Sequence, residues 1–415
     1  MTPTPRAVAA LALVALAALV VPPALAILAA VALAVALVVD ALAVRAPPRL
    51  ERSLPRVLSR GVPAPLHVAP SAAPTGRLRL RQAATPDLAV QDGESDGELD
   101  ARVVPRRRGR HALPAIATRE DGPLGLGRWH HRGGEPAEVA VFPDLPAARR
   151  LALGVRRGGL RAAGRHRRGP LGLGTEFESV RDYLPDDDIR QVNRRATARL
   201  GRPMSNQFRV EQDREVLCVV DAGRLMTAPL HDRTRLDAAL DAVTAVALVA
   251  DELGDRCGAV AFDSEIRARV APRRGGGDAV VRALFDLEPR AVDSDYELAF
   301  RAIGGAKRAF VLVLSDLLEE AAAGPLVAAV PVLSRRHAVA VASVRDPDLD
   351  ALVTTPPRGE GDLYAMAVAV DVLDARRRAV KLVERAGAEV VEAAPEALAA
   401  ACVGAYLRAK ARARL

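Results

Sequence analysis

The stretch "EVLCVVDAGRL" (residues 215–225) runs apolar without alternation from Val216 to Val220 and then stops at an aspartate. A strand buried on one face alternates in polarity; a strand buried on both faces does not, and belongs to a parallel sheet covered by helices. The next segment, "RLDAALDAVTAVALVADELG" (235–254), has helical periodicity and ends at Gly254. The alternation then repeats. "CGAVAFD" (257–263) reads as a strand pairing with "IRARV", and helices follow around Asp278–Leu287 and over Tyr296–Ile303. After these come strand "AFVLVLSD" (309–316), a helix near Gly324–Leu333 and strand "HAVAVASV" (337–344). A helix over 362–386, strand "EVVE" and a last helix from Pro395 complete the series. Residues 211–415 are therefore expected to form a doubly wound, Rossmann-like α/β domain with a parallel sheet. Asp221 and Asp316 end two of its strands, where ligands of such sheets bind, so a divalent-cation or polar-ligand site is the natural expectation there.

The 415 residues leave room for two or three domains, and 50% hydrophobic with 27% charged residues marks a folded chain. Aromatics make up only 3%, so the cores must be built from Ala, Val and Leu. A net charge of +8 suits nucleic acid, anionic lipid or an acidic partner. Nucleic acid is disfavoured, because no aromatics interleave the arginines to stack bases. Cys218, Cys257 and Cys402 each lie in an apolar run without metal-ligand or redox spacing, so buried reduced thiols are expected.

Lipid gains weight from the N-terminus. From Ala7 to Val44 nearly every residue is Ala, Val, Leu or Ile, broken by Pro22-Pro23 and Asp40. The prolines divide two spans, 7–21 and 24–44, the second long enough for a bilayer core. A cleaved signal would end near the prolines, yet a longer apolar run follows them. Arg6 before the run and Arg45, Arg49 and Arg52 after it place both ends in the cytoplasm. The expectation is a two-helix transmembrane hairpin over 1–45, in a multi-pass cell-membrane protein whose soluble part is cytoplasmic.

Residues 46–145 read as a small antiparallel β-sandwich. "GRLRLRQ" puts Leu78 and Leu80 on one face and Arg77, Arg79 and Arg81 on the other, "ARVVPRRRGRHALPAIA" and "AEVAVFPDL" give further strands, and "DGESDGELD" (92–100) reads as an acidic loop. His111, His130 and His131 lack convergent metal spacing. Residues 146–210 form a connector. Its start, "RRLALGVRRGGLRAAGRHRR" (149–168), holds eight arginines and no acid, which fits either a solvated linker or a basic strip against anionic headgroups or an acidic partner. Its end, "TEFESVRDYLPDDDIRQVNRRATARLGRP" (175–203), mixes both signs of charge. Pro185 and the three aspartates are expected at a helix start, with Arg194, Arg195 and Arg199 towards its end and Gly201 and Pro203 stopping it. Adjacent aspartates at a helix start do not converge on a scissile bond. The stretch is expected to be an ion-paired clasp holding the connector to the first strand of the α/β domain.

These motifs resemble domain-of-unknown-function family 58. In that family an Arg-x-Tyr turn, a Gly-Asp-Asp-like run and an Arg-x-x-Asn/Asp-Trp-x-x-x-Ala-Arg helix precede a von Willebrand factor type A-like domain. Arg181 and Tyr183 match the turn, and Asp186, Asp187 and Asp188 match the acidic run. Arg190, Asn193, Thr197, Ala198 and Arg199 match the helix, with the signature tryptophan replaced around Asn193-Arg194. "RRGRHALPAIATREDGPLGLGRW", "DAGRLM", "SDYELAF" and "SRRHAVAVASV" extend the likeness over about residues 100–350. The resemblance implies a membrane anchor and a partnership with a MoxR-type AAA+ ATPase in chaperone-like or assembly work.

In von Willebrand A domains an Asp-x-Ser-x-Ser loop, a Thr and a later Asp hold Mg²⁺. Here Gly223 and Leu225 stand where the serines belong, and Ser294-Asp295-Tyr296 stands near the Thr. Mg²⁺ demands near-octahedral oxygen coordination. Asp221, Gly223, Leu225 and Asp316 therefore read as a degenerate metal site without cofactor, and Arg224 is available as a cation for Asp221 or Asp316. No nucleophile elbow or zincin helix is present, and "GPLGLGTE" lacks the Lys-Ser/Thr of a phosphate loop, so no enzyme is expected. The expected role is a membrane-tethered interaction module in contact with membrane lipids. The alternative is a divalent-metal-dependent ligand-binding von Willebrand A protein.

Overall fold

The computed structural model describes residues 1–156, 176–184, 192–209, 214–303, 308–317 and 320–412. The fold is mixed α/β with several sheets, in two units, Met1–Phe142 and Pro143–Leu415.

The first unit begins with β1 (Thr2–Pro3), α1 (Pro5–Ala17) and α2 (Pro23–Ala43). Among the described residues α2 is the one helix long and apolar enough to cross a membrane or to serve as a signal sequence, and α1 is a shorter apolar helix. Pro22 and Pro23 sit at the N-cap and first turn of α2, where a missing N–H costs nothing. There follow β2 (Leu50–Ser53), β3 (Val57–Ser59), β4 (Ala64–Pro70), β5 (Arg77–Arg81), β6 (Leu88–Gln91) and β7 (Glu94–Asp96). Then come β8 (Leu99–Pro105), β9 (Gly109–Leu113), β10 (Ile116–Asp121), β11 (Gly127–Gly133) and β12 (Ala137–Phe142).

These strands make three sheets, β1-β11-β10-β5-β7, β2-β4-β8-β6 and β3-β12-β9, around one core that includes Leu66, Leu78, Leu80, Val103 and Val141. The two-sheet antiparallel expectation is corrected in two respects: there is a third sheet, and its β3–β12 pair is parallel. Alternation fixes which face a strand buries, not which neighbour it takes. The acidic run is also corrected. Glu94 and Asp96 lie in β7 beside β5, where Arg79 bonds Glu94 at 2.8 Å and Arg77 bonds Asp96 at 2.7 Å. Cross-strand partners, rather than solvent, balance its charge.

The β10–β11 turn is gripped by the bases of both helices. Asp40, buried near the end of α2, accepts from the Leu124, Leu126 and Gly127 N–H groups at 2.7, 2.8 and 2.8 Å. Thr4, which caps α1, donates its amide to Leu126 O at 2.9 Å and its hydroxyl to Gly125 O. The contact requires glycine at 122 and 127, since a Cβ at either would overlap Asp40 or Ala41.

In the second unit, α3 (Leu145–Arg156) places Ala148 and Ala152 in the same core as α5, so the start of the arginine-rich connector is a packed helix. Residues 157–168 of that strip lie outside the described residues. β13 (Glu176–Asp182), α4 (Arg194–Leu200) and β14 (Met204–Arg209) make up the clasp. The sheet itself is built from β15 (Glu215–Asp221), β18 (Arg256–Phe262), β19 (Ile266–Arg274), β20 (Ala309–Leu314), β21 (Ala338–Val344) and β22 (Glu389–Ala393), while β16 (Pro229–Leu230) and β17 (Arg233–Thr234) form a small ribbon. Its helices are α5 (Arg235–Glu252), α6 (Gly277–Leu284), α7 (Tyr296–Ile303), α8 (Glu320–Ser334), α9 (Pro347–Thr354), α10 (Glu360–Arg385) and α11 (Pro395–Ala411). The strand order is β19-β18-β15-β20-β21-β22, with β19 antiparallel and the other pairs parallel. Alternate residues of β15 enter different cores: Val216, Cys218 and Val220 one, Leu217 and Val219 the other. That is why its sequence shows no alternation. All three cysteines are buried free thiols, and burial pushes the Cys402 thiol up.

Candidate functional site at the carboxyl edge of the sheet

An aspartate follows or ends each of four parallel strands: Asp221 on β15, Asp263 after β18, Asp316 after β20 and Asp346 after β21. Their partners differ, although Arg235 is shared by Asp316 and Asp346.

Asp221, 1% exposed, is held by neutral donors. One carboxylate oxygen accepts from Gly223 N at 2.8 Å and from the Ser294 hydroxyl. The other accepts from Tyr296 OH at 2.9 Å and Ser315 Oγ at 2.7 Å. A carboxylate offers about four lone-pair sites, and these donors use them. Burial, then the Asp221 charge, pushes the Tyr296 hydroxyl well above its usual range, so it stays a donor. "SDYELAF" thus sends two of its first three side chains, Ser294 and Tyr296, to this carboxylate, while Asp295 caps α7 through Leu298 N at 2.9 Å.

Asp316, 3% exposed, belongs to a separate network. It is in direct contact with Arg235, lies 3.6 Å from Arg376 Nη1 and accepts from Ser343 Oγ at 3.2 Å. Arg235 also reaches Asp346 at 3.5 Å, and Arg376 donates to Glu392 at 2.7 Å. The Thr234–Asp237 capping box begins α5 so that Arg235 is its first residue. A cation there opposes the helix dipole by about 0.3–1 kcal/mol, which the two carboxylates offset. Burial, then the Arg376 charge, holds the Arg235 guanidinium below its usual range. Burial alone would raise the Asp263 carboxyl, but Arg267 at 2.7 Å, the Glu265 N–H and Arg290 outweigh it and hold it low.

The sequence-predicted pair is therefore divided between two networks, and neither carboxylate lies open. Arg224 is corrected: it pairs with Asp293 at 3.1 Å on the surface, and the cations on Asp316 are Arg235 and Arg376. Leu225 lies in the short 3-10 turn Arg224–Thr227, half-buried, and supplies no oxygen. With Asp221 saturated, Gly223 and Leu225 without side-chain oxygens and Asp316 bound to guanidinium, these residues do not fit Mg²⁺. Among the described residues no group of three or more His, Cys, Asp or Glu is placed to hold a metal ion. Sequence reasoning missed Arg235, Arg376, Ser315 and Tyr296 as partners. An arginine opening a helix, against the dipole, was the one local signal.

In the clasp, Asp186, Asp187, Asp188 and Arg190 lie outside the described residues. α4 starts at Arg194 behind Asn193, whose side chain accepts from Ala196 N at 3.0 Å. Val192 before it is bridged to Ser205, and the expected helix start at Pro185 and the three aspartates lies outside the described residues. Gly201 closes it with φ 68°. β13 and β14 pair with each other in a separate two-stranded sheet, with Arg181 opposite Ser205, rather than extending the main sheet from its first strand. Tyr183 N donates to Pro203 O at 3.0 Å, Asn193 donates to Asn206 at 2.7 Å, and Ala198 and Arg199 are exposed.

A family model described as "Protein of unknown function DUF58" matches residues 179–383, from β13 into α10. Uncharacterized proteins of Mycobacterium bovis and Mycobacterium tuberculosis, the latter named Rv1480, are each 27% identical over 184 residues, 42% of this chain and 56% of theirs. The chain thus spans about half the length of these curated relatives. Among solved structures, a cohesin module from a Clostridium perfringens family 33 glycoside hydrolase aligns at 9% identity and a TM-score of 0.16, covering 23% of this chain and 98% of that one.

Proposed function

We propose that the chain is a membrane-tethered, cytoplasmic interaction module whose sheet domain is von Willebrand factor type A-like, and that its partner is a MoxR-type AAA+ ATPase. The strand order, with reversal between β15 and β20, supports the doubly wound reading. The apolar surface left exposed on α1 and α2, such as Leu13 and Leu28 at 67% and 68%, supports a membrane hairpin.

The observation that carries the interaction role is the apolar surface of α9 and α10. Leu352 is 41% exposed, Leu363 57%, Tyr364 76% and Val368 62%. A cluster of this kind on a water-facing domain marks a contact surface. Saturation of Asp221 by the protein's own donors argues against the metal-dependent alternative.

The test is capture of a co-expressed MoxR-type ATPase by the full chain in detergent, with wild type against Leu363→Glu/Tyr364→Ala. Capture is expected to fall at least about tenfold, the loss of one or two well-packed anchors. Normal capture by the variant would overturn the assignment of this surface. A one-to-one Mg²⁺ isotherm abolished by Asp221→Ala would replace it with the metal-dependent reading. Protease added outside spheroplasts should leave the sheet domain uncut.

A further inference from the structure

The opposite edge of the six-stranded sheet holds a cavity of about 390 Å³. It opens at the amino ends of β20, β21 and β22, away from Asp221 and Asp316. Arg308, Arg335, Arg336 and Arg412 line it, and none of the four makes an ion pair among the described residues. The one carboxylate in the lining, Glu389, is already held by Arg408, with Nε at 3.1 Å and Nη2 at 2.6 Å. The site therefore concentrates four guanidinium groups that no carboxylate pairs among the described residues.

Two features separate it from a basic patch. Its lining includes the buried apolar side chains Phe310 and Ala409, 2% and 7% exposed, beside the arginines. Nδ1 of His337 is buried without a hydrogen-bond partner among the described residues, a position that ligands or water satisfy in folded proteins. Burial, then the Arg336 charge, holds this imidazole below its usual range, leaving it neutral. The volume suits a small molecule rather than a peptide. Guanidinium groups match phosphate oxygens in paired hydrogen bonds better than any other side chain.

We propose that this cavity binds a small organic phosphate, its phosphate held by Arg308, Arg335, Arg336 and Arg412 and its body lying against Phe310 and Ala409. The same chemistry is presented by a soluble metabolite and by a phospholipid headgroup. This site is independent of the α9–α10 surface.

The experiment uses the full chain in phosphatidylcholine nanodiscs. Metal-free ATP and inorganic pyrophosphate are titrated at constant ionic strength in one arm; phosphatidylglycerol is added to the discs in the other. Thermal midpoint and affinity are read in both. Arg335→Ala/Arg336→Ala is expected to weaken binding at least about tenfold, the loss of paired charged hydrogen bonds. Arg282→Ala/Arg301→Ala, with the same charge loss elsewhere, should leave it unchanged. His337→Gln, which keeps the fold's charge, should weaken it severalfold and serves if the double variant misfolds. A response to the soluble probes assigns a metabolite, and a response to phosphatidylglycerol alone assigns a headgroup. No response in either arm, or equal loss in both double variants, overturns the proposal.

Discussion

Ser294 fills the space that a side chain at position 223 would need. A Cβ built on Gly223 would overlap the Ser294 hydroxyl and lie 2.8 Å from the Val292 carbonyl oxygen. The serine missing from the loop is thus answered by a serine 71 positions later, which reaches the same carboxylate from the other side.

Gly223→Ala is accordingly expected to destabilise the sheet domain by about 1–3 kcal/mol through overpacking. The buried cysteines provide the readout: labelling of Cys218, Cys257 and Cys402 by a thiol reagent should accelerate in denaturant. Adding Ser294→Gly should restore part of the loss, not all, because Val292 O remains. Unchanged labelling in the single variant would refute the fit.

Asp316→Ala should be severely destabilising. It leaves Arg235 and Arg376, both nearly buried, without a shared carboxylate, a defect of about 3–5 kcal/mol. Stability within about 0.5 kcal/mol of wild type would mean that Asp346 and Glu392 suffice.

Asp40→Ala should act locally. Three backbone N–H groups lose their acceptor, so hydrogen exchange at Leu124, Leu126 and Gly127 should speed at least about tenfold, equivalent to one lost hydrogen bond of about 1.4 kcal/mol. Amides of β15 and β20 should exchange as before. Equal acceleration throughout would indicate global unfolding instead.

Asp121 and Arg128 face each other in register on β10 and β11 and bond at 2.6 and 3.1 Å. The Arg128 hydrogen bond, opposed by burial, holds the Asp121 carboxyl below its ordinary 3.8. A carboxyl depressed in the folded state contributes stability above its unfolded value and loses it as pH falls through the folded one. Wild type should therefore lose stability more steeply than Arg128→Gln below about pH 4, and the two should converge in strong acid. Parallel curves would remove the pair from the acid response.

What was legible in the chain was the order of its elements. Val216–Val220 and Ala309–Leu314 announce themselves because burial on both faces leaves no polar position, and Gly201 marks a helix end because its φ favours glycine. Partners were not legible. Asp221 takes its donors from positions 294, 296 and 315, and the neutralisation of Glu94 and Asp96 depends on β5 lying beside them. Charge and spacing report what a residue needs; only the folded chain decides which neighbour meets that need. α9 was missed because its eight residues are short and bury none of their side chains, leaving no periodic stripe to read.

The grip on the β10–β11 turn has a mechanical consequence. One tight loop is fastened to the base of α1 through Thr4 and to the base of α2 through Asp40, so the helices are pinned together where they meet the sheet. Spreading them at that end would break both fastenings. The far end, about Ala18–Pro22, makes no backbone hydrogen bond to the sheet among the described residues.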